Sequence, residues 1–164
     1  KLIFPGVGDA AYAMVQLKET GFDKFIKDKT AAGVPLLGIC LGSQIIFEKS
    51  EEGDTDCLGL IPGTIRHFYN IKPELKDQGM KVPHMGWNQI TNLKTDLFKG
   101  IDENSFVYYV HSFHAPVNQY TIAQTNYGID YSGALHKDNF YATQFHPEKS
   151  GSVGEQLLKN FLEI

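Results

Sequence analysis

The chain opens on an apolar run, Leu2-Ile3-Phe4, that breaks into Pro5-Gly6-Val7-Gly8. A second run, Val34-Pro35-Leu36-Leu37-Gly38-Ile39, ends at Cys40. Between them Ala10, Ala13, Met14 and Leu17 recur at helical spacing, with Asp9 placed to cap the first turn and Gly21 to stop the last. Phe22, Phe25 and Ile26 mark a second helical stretch, and Ala31-Ala32-Gly33 leads into the second strand. Strands and helices in this alternation predict parallel pairing through right-handed crossovers. After Cys40, the spacing of Leu41, Ile45 and Ile46 predicts a helix over 41–48, and the acidic segment Ser50 to Asp56 reads as a solvated loop. From Gly63 the pattern changes to short β-branched and aromatic runs: Gly63 to Phe68, Phe106 to Val110, Tyr120 to Ala123 and Tyr141 to Phe145. These predict antiparallel or mixed strands added to the parallel core. Leu157, Leu158, Phe161 and Leu162 give the last segment one apolar helical face. The expected fold class is α/β: a doubly wound, mainly parallel sheet flanked by helices, with added antiparallel strands.

Composition narrows the function classes. The 164 residues suit one domain, with 42% hydrophobic and 21% charged positions. A net charge of −4 argues against a nucleic-acid groove or an anionic membrane surface, and no apolar stretch reaches membrane-spanning length. Fourteen lysines accompany a single arginine, Arg66, so the guanidinium clusters that grip phosphorylated ligands are missing. Two cysteines far apart, one in a catalytic context, point to a reducing, cytoplasmic setting, with Cys57 structural.

Cys40 carries the strongest chemical signal. Placed between a strand and a helix and flanked by Gly38 and Gly42, it fits a tight turn that pushes a nucleophile out of the backbone. The helix N-terminus beyond it favours thiolate over thiol. Near the other end, Phe145-His146-Pro147-Glu148 supplies a base and an orienting carboxylate; in an extended chain, residues two apart share a side. A carboxylate on one imidazole nitrogen frees the other to take a thiol proton. Cys40, His146 and Glu148 together read as a catalytic triad. His111 and His114 have a His-x-x-His spacing, but no further ligand cluster accompanies them, so neither a metal nor a cofactor is expected.

With these motifs in place the chain resembles class I glutamine amidotransferases, and within them the glutaminase subunits of imidazole glycerol phosphate synthases. The resemblance rests on Pro5-Gly6-Val7-Gly8, Gly38-Ile39-Cys40-Leu41-Gly42-Ser43-Gln44, Pro83-His84-Met85-Gly86-Trp87-Asn88, Val110-His111-Ser112-Phe113-His114 and Gln144-Phe145-His146-Pro147-Glu148-Lys149-Ser150. Pro-His-Met-Gly-Trp-Asn is the narrowest of these. Members of the family begin with a further strand, helix and strand. The expectation is therefore one amidotransferase domain over 1–164, truncated at its N-terminus.

The resemblance implies hydrolysis of glutamine through a Cys40 thioester. It assigns glutamine contacts to Gly8, Gln44, His111, Ser112 and Phe113, and oxyanion donors to Leu41 and the Gly6-Val7-Gly8 loop. It further implies a heterodimer with a (βα)8-barrel cyclase, HisF, docked through Trp87, Asn88, Tyr108 and Lys149, with Trp87 on an exposed loop. The alternatives left open are a glutaminase feeding a different acceptor, such as a surface sugar, a free-standing amide or γ-glutamyl hydrolase, and a binding module that merely kept the fold.

Overall fold

The computed structural model describes residues 1–164. Strand β1 (Leu2–Gly6) is followed by helices α1 (Ala10–Thr20) and α2 (Phe22–Ala31), and the chain returns as β2 (Leu36–Cys40). Asp9 Oδ1 accepts the Tyr12 amide at 2.8 Å, capping α1, and Gly21 ends that helix at φ 75, where a Cβ would be strained. Next come α3 (Leu41–Gln44), β3 (Phe47–Ser50), β4 (Thr55–Asp56) and β5 (Ile61–His67). Two short helices, α4 (Phe68–Ile71) and α5 (Glu74–Asp77), lead to β6 (His84–Gln89) and β7 (Phe106–His111). Strands β8 (Phe113–His114), β9 (Thr121–Asn126), β10 (Asp130–Lys137) and β11 (Phe140–Thr143) precede the closing helix α6 (Gly151–Glu163).

The central sheet has the order β1-β2-β11-β10-β9. Its first three strands run parallel, β1 pairing from Leu2↔Leu36 to Gly6↔Cys40 and β11 from Phe140↔Leu36 to Thr143↔Ile39. β10 and β9 extend it antiparallel. A second sheet has the order β4-β3-β5-β8, and β6 and β7 form an antiparallel ribbon. The α/β architecture agrees with expectation, its parallel part confined to β1-β2-β11 and β3–β5.

Successive strand residues point to opposite faces, so a strand covered on both sides reads as a continuous apolar run, and β2 is buried throughout. Leu36 packs with Met14 and Ile26 of α1 and α2, while Leu37 and Ile39 pack with Leu157 and Phe161 of α6. Two cores thus sandwich the strand that ends at Cys40.

Several expectations are corrected. The helix after Cys40 stops at Gln44, because Phe47–Ser50 pairs in parallel with β5. The β-branched and aromatic Ile45-Ile46-Phe47 suits that pairing, which outweighs a helical spacing read over a few residues. The acidic segment is not simply solvated. Ser50 and Thr55 are buried, and Glu51 accepts from the Arg66 guanidinium, from the His67 amide at 2.7 Å and from Asn70 at 3.0 Å. Trp87 and Asn88 lie in β6 rather than in a loop. On α6, Leu157 and Phe161 are buried, whereas Leu162 faces solvent.

Candidate active site

Cys40 closes β2 and precedes α3 with φ 53 and ψ −109. Such a conformation strains a residue with a side chain by about 1–3 kcal/mol, and close packing holds it. A Cβ at Gly38 would stand 2.6 Å from the Gly42 carbonyl oxygen, and one at Gly42 only 2.0 Å from the Phe4 carbonyl oxygen. The flanking glycines therefore act by letting backbones approach, while Cys40 itself takes the bend. Its Sγ lies 3.8 Å from the Val110 carbonyl oxygen and 3.9 Å from Gln144 Nε2. Burial pushes the thiol up to about 11; the Leu41 amide pulls it down, and the Glu148 and Glu52 charges add to the rise. The expected thiolate is thus reversed. Desolvation outweighs the dipole of a four-residue helix, and the resting group at neutral pH is the thiol.

His146 lies just beyond β11 and is buried. Its amide donates to the Tyr108 carbonyl at 2.9 Å. The Ser150 hydroxyl donates to the His146 carbonyl at 2.6 Å while accepting the Tyr108 amide at 3.0 Å. The imidazole backbone is thereby clamped to β7. Pro147–Lys149 forms one 3-10 turn instead of the expected extended chain, and this turn brings Glu148 Oε1 to 2.6 Å from His146 Nδ1. With Nδ1–H given to the carboxylate, Nε2 carries the lone pair, and that buried atom has no partner in the protein. Gly154 of α6 permits this turn: a Cβ there would stand 1.8 Å from the Pro147 carbonyl oxygen.

Cys40 and His146 line one cleft of about 280 Å³, bordered also by Val7, Gly8, Leu41 and Gln44. Gly6 lies outside the lining but pairs with Cys40 across β1 and β2, which sets the exposed Val7 beside the sulfur's strand end. Val110, His111, Ser112 and Phe113 complete the wall. Gln44 Nε2 donates to the Phe113 carbonyl at 2.8 Å and to Gln144 Oε1 at 3.0 Å. The His111 ring turns into the core, Nδ1 at 2.8 Å from the Phe113 carbonyl and Nε2 at 3.2 Å from the Tyr131 hydroxyl. Burial holds it well below the usual histidine range, so it meets the cleft as a neutral ring. His114 is fully buried, and burial pushes it down to about 4. No group of three or more His, Cys, Asp or Glu side chains is arranged to hold a metal ion.

Two residues here escaped the sequence reading. Glu52 lines the cleft, accepts the Ala10 amide at 2.9 Å and is raised above the usual carboxylate range by burial. A carboxylate so placed suits the ammonium group of an amino acid, yet its acidic neighbours made it look like solvated surface. Gln144 is buried against the Cys40 sulfur, and only its position two residues before His146 hinted at that.

Beside the cleft, β6 and β7 present an exposed apolar face. Trp87 pairs with Tyr108, their rings 6.1 Å apart, and Lys149 Nζ stands 5.9 Å over the Tyr108 ring. Met85 and Phe106 are exposed on the same face. Asn88 points the other way, donating to the Asn126 carbonyl at 2.9 Å.

Comparison with known proteins agrees with this architecture. The family model described as glutamine amidotransferase class-I matches residues 2–164. The chain is 55% identical to the imidazole glycerol phosphate synthase subunit HisH of Bacteroides fragilis (strain YCH46), over all of this chain and 80% of that protein. It is 46% identical to HisH of Escherichia coli (strain K12), again over all of this chain and 80% of the relative. Among solved structures, a glutamine amidotransferase superposes with a TM-score of 0.68 at 16% identity, covering 98% of this chain and 76% of that one. A glutamine amidotransferase from Thermotoga maritima gives 0.56 at 14% identity, covering 99% of this chain and 61% of that one. With a family model spanning nearly every residue and relatives near half identity along the whole chain, the protein belongs to the class I glutamine amidotransferases.

Proposed function

We propose that this chain is the glutaminase subunit of an imidazole glycerol phosphate synthase, serving histidine biosynthesis. It hydrolyses glutamine to glutamate and ammonia, and it passes the ammonia to a (βα)8-barrel cyclase, HisF, docked on the β6–β7 face. The chemistry rests on one observation: His146 Nδ1 is held by Glu148 at 2.6 Å and Nε2 has no partner, in a residue that lines the same cleft as Cys40.

His146 Nε2 takes the thiol proton as the Cys40 sulfur attacks the side-chain amide carbon of glutamine. Because the thiol is protonated at rest, proton transfer accompanies attack. The imidazolium then protonates the departing nitrogen, the C–N bond breaks, and ammonia leaves a glutamyl thioester. Water, deprotonated by the same nitrogen, attacks the thioester, and the proton returns to sulfur as glutamate is released. Glu148 orients the imidazole and stabilises its charged form. The tetrahedral oxygen takes amide donors from Leu41 and the Gly6-Val7-Gly8 loop, each worth about 3 kcal/mol in such sites. Gln44, His111, Ser112 and Phe113 border the substrate, and Glu52 receives its α-ammonium group.

Ammonia in open water becomes ammonium, which is no nucleophile, so the site must sit against its acceptor enzyme. Trp87, Tyr108 and Lys149 form the face that meets the partner, with Asn88 supporting it from beneath. The test is glutamate release from glutamine with and without the cyclase. Activity is low alone, rises with the liganded partner, and vanishes in Cys40→Ala. Robust hydrolysis by that variant would remove the thioester mechanism.

A further inference from the structure

Resting on the reading of Cys40 as nucleophile, we propose that Gln144 is a further catalytic residue. Its side-chain amide donates a hydrogen bond to the Cys40 sulfur and stabilises the thiolate as attack begins, and Gln44 fixes its orientation.

The hydrogen-bond network dictates which end of each amide points where. A backbone carbonyl only accepts, so the Gln44 atom 2.8 Å from the Phe113 carbonyl oxygen is Nε2. The same nitrogen stands 3.0 Å from Gln144, and only the Gln144 oxygen can receive it. The Gln144 nitrogen is thereby turned onto the sulfur, at 3.9 Å. The Val110 carbonyl, 3.8 Å from Sγ, offers the thiol hydrogen an acceptor, which leaves the sulfur lone pairs facing Gln144. Every link has one possible direction.

Burial makes the contact consequential. Gln144 and Gln44 are both almost fully enclosed, so water neither competes for the N–H nor screens it. Desolvation disfavours the Cys40 anion strongly, and a neutral donor aimed at the sulfur opposes that without adding a charge to the cleft. The Gln144 amide donates to the Gly133 carbonyl at 2.9 Å, anchoring the residue to β10 just ahead of His146. Base and thiolate donor therefore come from one short segment.

The experiment is alkylation of Cys40 by iodoacetamide, in a Cys57→Ser background so that one thiol reports. Gln144→Glu keeps the oxygen that receives Gln44 and replaces the donor by a second oxygen. Gln144→Met keeps the bulk and removes both polar atoms. Both variants should react at least about tenfold more slowly than the parent, the loss of one hydrogen bond to a charged group. Turnover of glutamine in the presence of the partner should fall in kcat by a similar factor. A residue that merely propped up Gln44 would raise KM and leave alkylation untouched. Parental alkylation by either variant in folded form, judged by an unchanged circular dichroism spectrum, overturns the donor role. Glutamine hydrolysis surviving in Cys40→Ala would instead sink the nucleophile reading itself, a result distinct from any alkylation rate.

Discussion

Replacing Gly154 by alanine drives a methyl group into the backbone that carries His146, the proposed base. The added carbon would lie 1.8 Å from the Pro147 carbonyl oxygen, 2.6 Å from its carbon and 2.9 Å from its Cα. A relaxed carbon–oxygen contact is about 3.3 Å, so α6 and the 3-10 turn must part by about 1.5 Å. All three obstructing atoms belong to backbone, so no rotamer change relieves them. The segment that has to move holds the Ser150 amide on the Pro147 carbonyl at 3.0 Å, the Ser150 hydroxyl on the His146 carbonyl, and the Glu148–His146 pair. Overpacking costs about 1–3 kcal/mol and a lost buried hydrogen bond about 1 more, while the better helix propensity of alanine returns about 1. The net loss of about 1–3 kcal/mol lowers the thermal midpoint by roughly 2–12 °C in a chain of this size. Catalysis suffers more, because misplacing a reacting group by about 1 Å can cost roughly 100-fold. Urea unfolding followed by circular dichroism, together with glutamate release in the presence of the partner, measures both effects. Glu155→Ala, on the exposed face of the same helix, serves as control. A Gly154→Ala protein with the parental urea midpoint and turnover within about twofold would refute the idea that this contact positions His146.

Acid should destabilise the fold through its buried histidines. His84 and His114 are pushed down to about 4 by burial, and His111 shifts the same way, whereas the unfolded chain protonates near 6.5. Stability present above that value is lost as pH falls through this window, about 3 kcal/mol for each of the first two by about pH 4, and a urea midpoint that stays flat across it would contradict this. Cys40 should react slowly with iodoacetamide near neutrality and faster by about tenfold per pH unit up to its midpoint near 11; rapid labelling at neutral pH would mean a preformed thiolate. Trp87→Ala should weaken partner binding by about 2 kcal/mol or more while leaving the urea midpoint unchanged, since the indole is 56% exposed; a titration showing parental affinity would reject the docking role.

Much of the site was legible because its chemistry is carried by short motifs at element boundaries. Leu36 to Cys40 and the His-Pro-Glu segment announced a candidate nucleophile and base, which the fold brings to one cleft, and Asp9 and Gly21 marked the ends of α1 by capping chemistry alone. Local pattern failed where tertiary pairing decided the outcome. Phe47–Ser50 became a strand only because β5 lies beside it, and Glu52 became a cleft residue only because α1 offers it the Ala10 amide. The thiol's ionisation was misread for a related reason. The strand-to-helix turn is visible in the sequence, but the burial that overrides its dipole involves Val110 of β7 and Gln144 just past β11, both far away in sequence. Gln144 itself carries no compositional signal, and its meaning lies entirely in the directionality of Gln44 and Phe113.

The pairing of β2 with β11 also governs when this enzyme can begin to work. The strand bearing Cys40 leaves the ribosome well before His146, which follows the last strand of the sheet. Until Ala142 and Thr143 settle alongside Gly38 and Ile39, His146 is not held beside the strand end that carries Cys40. A polypeptide that stops short of β11 therefore cannot assemble the cleft that Cys40 and His146 line.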